Sequence, residues 1–223
     1  MPAATAAQVD ALQELHDAIR REDLPLVRQL LARGGADVNA PAGPEYPSFL
    51  WLAWGVSSDE IIELLLAHPG ADLQLPGANG NQLVHAAAYW PAPAPLRLLL
   101  AVGAAPRARN PATGVTPLIL ARSAACAELL VDAAGPAALD DRDNDGDTPL
   151  HHAGMFGWEG AAEALLGRGA DKSAMNGSGS TPAQAAKNAT PGGWQPCWRP
   201  RQARRRWRPT ARRWSRGGGP LSC

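Results

Sequence analysis

The chain has 223 residues, 21 basic against 21 acidic side chains, and 45% hydrophobic but only 5% aromatic content. The last 34 residues carry nine arginines and no acid, so residues 1–189 hold 12 basic against 21 acidic groups and the neutral total averages two unlike segments. Scarce aromatics with abundant Ala, Gly and Pro exclude a Phe-rich globular core and suit short helices joined by tight turns.

From the N-terminus, "MPAATAAQVDALQELHDAIRRED" has no long apolar run and carries acids early. That is unlike a signal peptide or an Arg-rich transit peptide. No stretch reaches the length of a membrane span. The expectation is an intracellular, cytoplasmic protein in which the sequons at Asn176 and Asn188 are silent. Cys126, Cys197 and Cys223 are odd in number and lack metal-ligand spacing, and Cys126 falls in an apolar helical stretch as a small core residue.

Six short apolar segments then follow in phase. Leu15, Leu50, Val84, Leu118, Leu150 and Ala183 occupy one position, spaced by 32 to 35 residues. A second segment recurs with the same period: "VRQLLARGGADVNA", "IIELLLAHPGADLQL", "LRLLLAVGAAPRA", "AELLVDAAGPAAL" and "AEALLGRGADKSA". Two signals with one period mark a repeat architecture. The first segment of each unit reads as an inner helix, with Thr148 able to cap it and Pro149 where a missing N–H costs nothing. Ala18, Ala53, Ala87, Ala121 and Ala153 keep these helices narrow. Outer helices open on a capping-box pattern at Ser57 and Glu60 or on Pro91, Pro93 and Pro95. Leu pairs at 30–31, 64–65, 98–99, 129–130 and 165–166 give them a buried stripe. The fourth unit runs only eight residues from Ala121 to Leu129, so one of its helices is short.

These residues resemble an ankyrin-repeat protein, and "DGDTPLHHAGMFGWEGAAEALLGRGADKSA" at 145–174 is the strongest match. The resemblance covers residues 10–190, about five repeats and the start of a sixth. It implies an all-α solenoid: an ankyrin-like stack of helix-turn-helix repeats with β-turn or hairpin loops. Residues 1–9 would be an N-terminal extension and residues 191–223 a disordered basic tail. His16, His85 and His151 share the position where the family's His bonds nearby backbone and braces adjacent turns. Trp51 replaces it in the second unit. No repeat buries its apolar face alone, so a polar final repeat is expected as a cap, and here the sixth is cut short.

From Asp141 the chain also spells the opening of a calcium loop. The twelfth position, which should be a bidentate Glu, is His152, and the ninth is Pro149. Asp143, Asn144, Asp145 and Gly146 fit a turn instead. His151 and His152 are adjacent and diverge on a helix, unlike a zinc pair. "GRGADKSA" places Asp171 where a phosphate loop needs Gly. Without a nucleophile elbow, dinucleotide fingerprint or paired Cys motif, the expectation is no catalysis, no metal and no cofactor.

The resemblance puts partner binding on the concave face, made by turn tips and exposed inner-helix positions. The two residues after each Ala-Ala step are Arg20 and Arg21, Gly55 and Val56, Tyr89 and Trp90, Ser123 and Ala124, Met155 and Phe156. A groove with two apolar lips results, at units three and five. Tyr89, Trp90 and Phe156 read equally as surface anchors or as filler around the short fourth unit, and Trp54 and Trp158 as packing. Asp141, Asp143, Asp145 and Asp147 form an acidic rim for a basic partner. Candidate contacts are Tyr89, Trp90, Met155, Phe156, His152, Asp143 and Asp145, on a protein acting as a monomer.

Residues 191–223 hold nine arginines and four tryptophans, with almost no aliphatic side chain. Three readings stand open: contact with nucleic acid or acidic lipid, an inert appendage, or the product of a shifted reading frame. Function accordingly divides between a protein-binding scaffold and, in the alternative, a nucleic-acid or anionic-membrane adaptor working through this tail.

Overall fold

The computed structural model describes residues 6–34, 36–43, 46–56 and 58–189. The tail and the Ser57 part of the expected capping box lie outside them. Ten α-helices follow one another: α1 (Ala6–Arg20), α2 (Leu24–Arg33), α3 (Phe49–Val56), α4 (Asp59–Leu66), α5 (Leu83–Tyr89), α6 (Ala94–Ala101), α7 (Ala124–Ala134), α8 (Pro149–Met155), α9 (Glu159–Gly167) and α10 (Pro182–Asn188). Among the described residues there is no strand, and no helix is long and apolar enough to cross a membrane.

The chain is a two-layer helical solenoid. Inner helices α1, α3, α5, α8 and α10 alternate with outer helices α2, α4, α6, α7 and α9, and each layer packs along the stack. The anchor residues Leu15, Leu50, Val84, Leu118 and Leu150 are all buried, as are the alanines 18, 53, 87, 121 and 153 that let neighbouring units approach. Of each outer Leu pair, one member, Leu30, Leu65, Leu99, Leu130 or Leu165, is sunk in the core. A single hydrophobic cluster runs from Leu15 to Ala170.

Helix starts follow the expected chemistry with local corrections. Thr148 and His151 cap α8 reciprocally, Thr181 and Gln184 cap α10, and Asp23 accepts from the Leu26 amide at α2. The α4 N-cap is Ser58, one residue after the expected Ser57, and it makes no side-chain cap bond. The α1 helix begins at Ala6, so its first turn lies in the segment read as an extension.

Unit four departs most. Its inner element is a single 3-10 turn, Leu118–Leu120, followed by extended Ala121. One side chain sets this unit apart. In units three and five, the inner His accepts from the backbone N–H at the helix start, Gln82 N to His85 Nδ1 and Thr148 N to His151 Nδ1, both at 3.2 Å. Its Nε2 then bonds the Val115 carbonyl at 3.1 Å for His85 and the Ser180 carbonyl at 3.0 Å for His151, tying one unit to the next turn tip. Unit four has Ile119 there, which can do neither. Thr116 Oγ1 is left buried without a hydrogen-bond partner, and Ile119 joins Val115 and Leu120 in a small cluster of its own. Trp51 supplies a brace in unit two through Nε1 to the Leu75 carbonyl at 3.1 Å. Among the described residues His16 makes no bond to the next tip; its Nδ1 meets Asp17 at 3.2 Å.

Candidate partner-binding surface

The turn tips are stitched across the stack by side chain–backbone bonds. Asn110 Nδ2 donates to the Asn79 carbonyl at 2.9 Å, and Asn144 Nδ2 to the Ala112 carbonyl at 2.9 Å. Arg109 reaches the Arg142 carbonyl at 2.9 Å, and Arg142 the Met175 carbonyl at 2.6 Å. Backbones also touch: Gly177 N donates to the Asp145 carbonyl at 2.9 Å, and a Cβ on Gly177 would fall 2.6 Å from that oxygen. Only glycine lets tips five and six approach this closely.

The expected acidic rim is mostly consumed inside this network. Asp141 is buried and paired with Arg107. Asp147 is buried and accepts from Asn176 Nδ2 at 2.7 Å. Asp143 closes the turn, accepting from the Asp145 amide at 3.0 Å and the Asp147 amide at 2.9 Å, while its second oxygen meets His152 Nε2 at 2.8 Å. Burial opposes ionisation of Asp143, yet the hydrogen bonds from His152 and these amides outweigh it and hold its pKa below the usual value. The turn reading of this segment therefore describes the geometry. Asp143 and His152, both expected as contact residues, face each other with side chains only 6% and 8% exposed. Asp145 alone of the four aspartates stays exposed. Asp143, Asp147 and His152 bring their ligand atoms within 4.8 Å of one another, but the bonds just named already engage them.

The apolar candidates do come together, by a route the sequence did not show. Tyr89 at the end of α5 meets Trp158 at the N-cap of α9, ring centroids 6.1 Å apart at 73°. Phe156 stacks on Trp158 at 5.1 Å, and His152 lies 5.7 Å from Phe156. The Arg122 guanidinium sits 5.7 Å over the Tyr89 ring. Units three and five are thus joined directly across the shortened fourth. Ser123 and Ala124 do not form a low stretch between two lips, because Ser123 caps α7 and Ala124 is its first residue. Arg122 was missed for the same reason: the early end of the inner turn brings it over the Tyr89 ring.

Tyr89, Met155, Phe156 and Trp158 are all half-buried, whereas Trp54 is fully packed. Trp90 and Trp158 also lie against the core. Beside Tyr89 opens a shallow cleft lined by Trp51, Asn79, Asn81, His85, Ala86 and Leu120, with Tyr89 as its wall. Burial lowers the pKa of His85 despite its carbonyl partners, so the floor of the cleft is uncharged at neutral pH.

Family models described as ankyrin repeats match residues 85–176 as three copies and residues 14–42 as one, together more than half of the chain. The chain is 34% identical over 170 residues to the nuclear factor NF-kappa-B p105 subunit of Gallus gallus, an alignment taking in 73% of this chain and 17% of that protein. It is 43% identical over 107 residues to protein PhlB of Serratia liquefaciens, covering 46% of each. The chain therefore spans less than half the length of these relatives. Among solved structures, one chain of a complex between a predatory endopeptidase of Bdellovibrio bacteriovorus and an immunity protein matches with a TM-score of 0.66 at 24% identity. That match covers 79% of this chain and 91% of the other, and it speaks to the fold.

Proposed function

Because the chain belongs to the ankyrin-repeat family, we propose that it is a non-catalytic interaction protein that binds a partner protein, as a single copy, on the concave side of units three to five. One observation carries this reading. Tyr89, which lines the cleft, meets Trp158, and Trp158 stacks on Phe156, giving one half-exposed aromatic row on the stack. Aromatic side chains lose few rotamers on binding and concentrate binding energy, about 2 kcal/mol or more per anchor. Exposed Arg122 lies over the Tyr89 ring and exposed Asp145 stands on the fifth turn tip, charges of opposite sign that suit orientation and on-rate more than affinity.

The test is affinity capture from cell extract with the full chain as bait, beside a Tyr89→Ala, Phe156→Ala variant whose helicity and melting are checked first. A protein retained by the parent and lost from the folded variant supports the surface. Equal retention by both overturns it. Capture dominated by nucleic acid and abolished at high salt transfers function to the arginines of residues 191–223.

A further inference from the structure

Three hydrogen-bond donor groups around the Tyr89 cleft stand without an acceptor among the described residues. Two belong to Asn79 and Asn81, which line the cleft and are half-buried. The Asn79 side-chain oxygen accepts from the Asn81 backbone amide at 3.1 Å, and the Asn81 side-chain oxygen accepts from Asn110 Nδ2 at 2.7 Å. Both oxygens are engaged, and the two NH2 groups are left to donate. The third is Arg122. Its backbone N–H is tied to the carbonyl of Ala88, one residue before Tyr89, at 3.3 Å, and its guanidinium lies 5.7 Å over the Tyr89 ring. It is exposed, and none of the ion pairs among the described residues includes it.

The arginines of the neighbouring turn tips are differently placed. Arg107 pairs with Asp141, Arg109 donates to the Gly114 and Arg142 carbonyls, and Arg142 donates to those of Gly146 and Met175. No acid lines the cleft, and His85 at its floor has its Nε2 on the Val115 carbonyl. Arg122 therefore sets the charge beside Tyr89.

We propose that the partner presents an Asp or Glu side chain beside an apolar one, the apolar group entering the cleft against Tyr89 and the carboxylate pairing with the Arg122 guanidinium. The Asn79 and Asn81 NH2 groups then serve the carbonyls of the same segment. This rests on the partner-binding reading above and gives that partner a chemistry. A guanidinium already laid over a ring is a planar fork held in place, which suits a carboxylate and loses little freedom on pairing. Nucleic acid also offers acceptors, but residues 1–189 carry nine more acids than bases. Such a field repels a polyanion far more than it repels one carboxylate beside a local cation. The preference is the reverse of that expected from the four aspartates of 141–147, three of which the tips consume.

The probe is a library of short random peptides displayed on phage and panned against the full chain. The strongest binder is then synthesised in two forms, acidic and with every Asp or Glu replaced by its amide. Titration calorimetry compares both forms on the parent and on Arg122→Gln, after the melting of the two proteins has been matched. Selected peptides should place Asp or Glu next to Leu, Phe, Tyr or Trp. The amide form should bind the parent about tenfold more weakly, and Arg122→Gln should lose the same factor for the acidic form and nothing further for the amide form. Selection of apolar peptides without acid overturns the proposal and leaves the surface standing. Acid dependence undiminished in Arg122→Gln also overturns it, and moves the attraction to the arginines of residues 191–223. A single-stranded oligonucleotide that displaces the acidic peptide, and itself binds Arg122→Gln more weakly, assigns the site to nucleic acid and overturns it too. Peptides that bind the folded Tyr89→Ala, Phe156→Ala variant as well as the parent, or no selected peptide at all, overturn the surface and this chemistry together.

Discussion

Tyr89 and Trp158 touch edge to face at 6.1 Å although they belong to units three and five, which a regular solenoid keeps apart. The contact exists because the inner element between them is one turn long. A double-mutant cycle with Tyr89→Ala and Trp158→Ala, read by chemical denaturation, should return a coupling of about 0.5–1.5 kcal/mol. A coupling indistinguishable from zero would show that the two rings are neighbours without consequence.

Thr116 and Thr148 hold the same place in successive repeats and should respond to valine with opposite signs. Thr148 Oγ1 lies 2.8 Å from His151 Nδ1, so Thr148→Val should cost about 1–2 kcal/mol. Thr116 Oγ1 is buried and unpartnered. Replacing it by an isosteric methyl removes a desolvation penalty, and Thr116→Val should stabilise by about 1 kcal/mol. Thermal melts of the two variants side by side decide the point.

Acid should weaken the fold in two stages. His85 has a folded-state pKa below its unfolded value of about 6.5, because burial disfavours the cation. Its neutral form is fully stabilising above that value, and as pH falls below it the unfolded chain takes up the proton first, so stability declines. Asp143, whose pKa is also lowered in the fold, contributes above about 3.8 and is lost as pH falls further. Unfolding free energy measured from pH 8 to 3 should show the first decline in the parent and lose it in His85→Gln, which should be less stable at pH 8 by about 1–3 kcal/mol.

Asp143 and Asp145 are two residues apart and should behave as different kinds of residue. Asp143→Ala removes an acceptor for two amides and His152, and should destabilise by about 2–3 kcal/mol. Asp145→Ala at an exposed tip should change stability by less than about 0.5 kcal/mol while slowing association with a captured partner. Equal stability losses in both variants would contradict the geometry of the turn.

Much of the architecture was readable because a repeat states each position several times. Six anchors and five Leu pairs located both helical layers, and the short interval from Ala121 to Leu129 announced a shortened helix. It did not say which helix. The structure places the loss in the inner element, the one where Ile119 stands at the position of the bracing histidine. The candidate surface was read less well for a related reason. Tyr89 and Phe156 were found by their register, but Trp158 and Arg122, which link and cover them, enter only when unit four ends early. The acidic rim misled most: Asp141, Asp143 and Asp147 look alike in sequence, and their partners Arg107, His152 and Asn176 lie 34, 9 and 29 residues away.

The missing brace at Ile119 gives the molecule a mechanical character. Elements joined in series share the same load, and the softest takes most of the bend. Unit three is clamped to the following tip by His85 and unit five by His151, while unit four has a one-turn inner element and no such clamp. A force applied at the two ends would therefore fall on the Tyr89–Trp158 contact, which spans unit four and ties units three and five together.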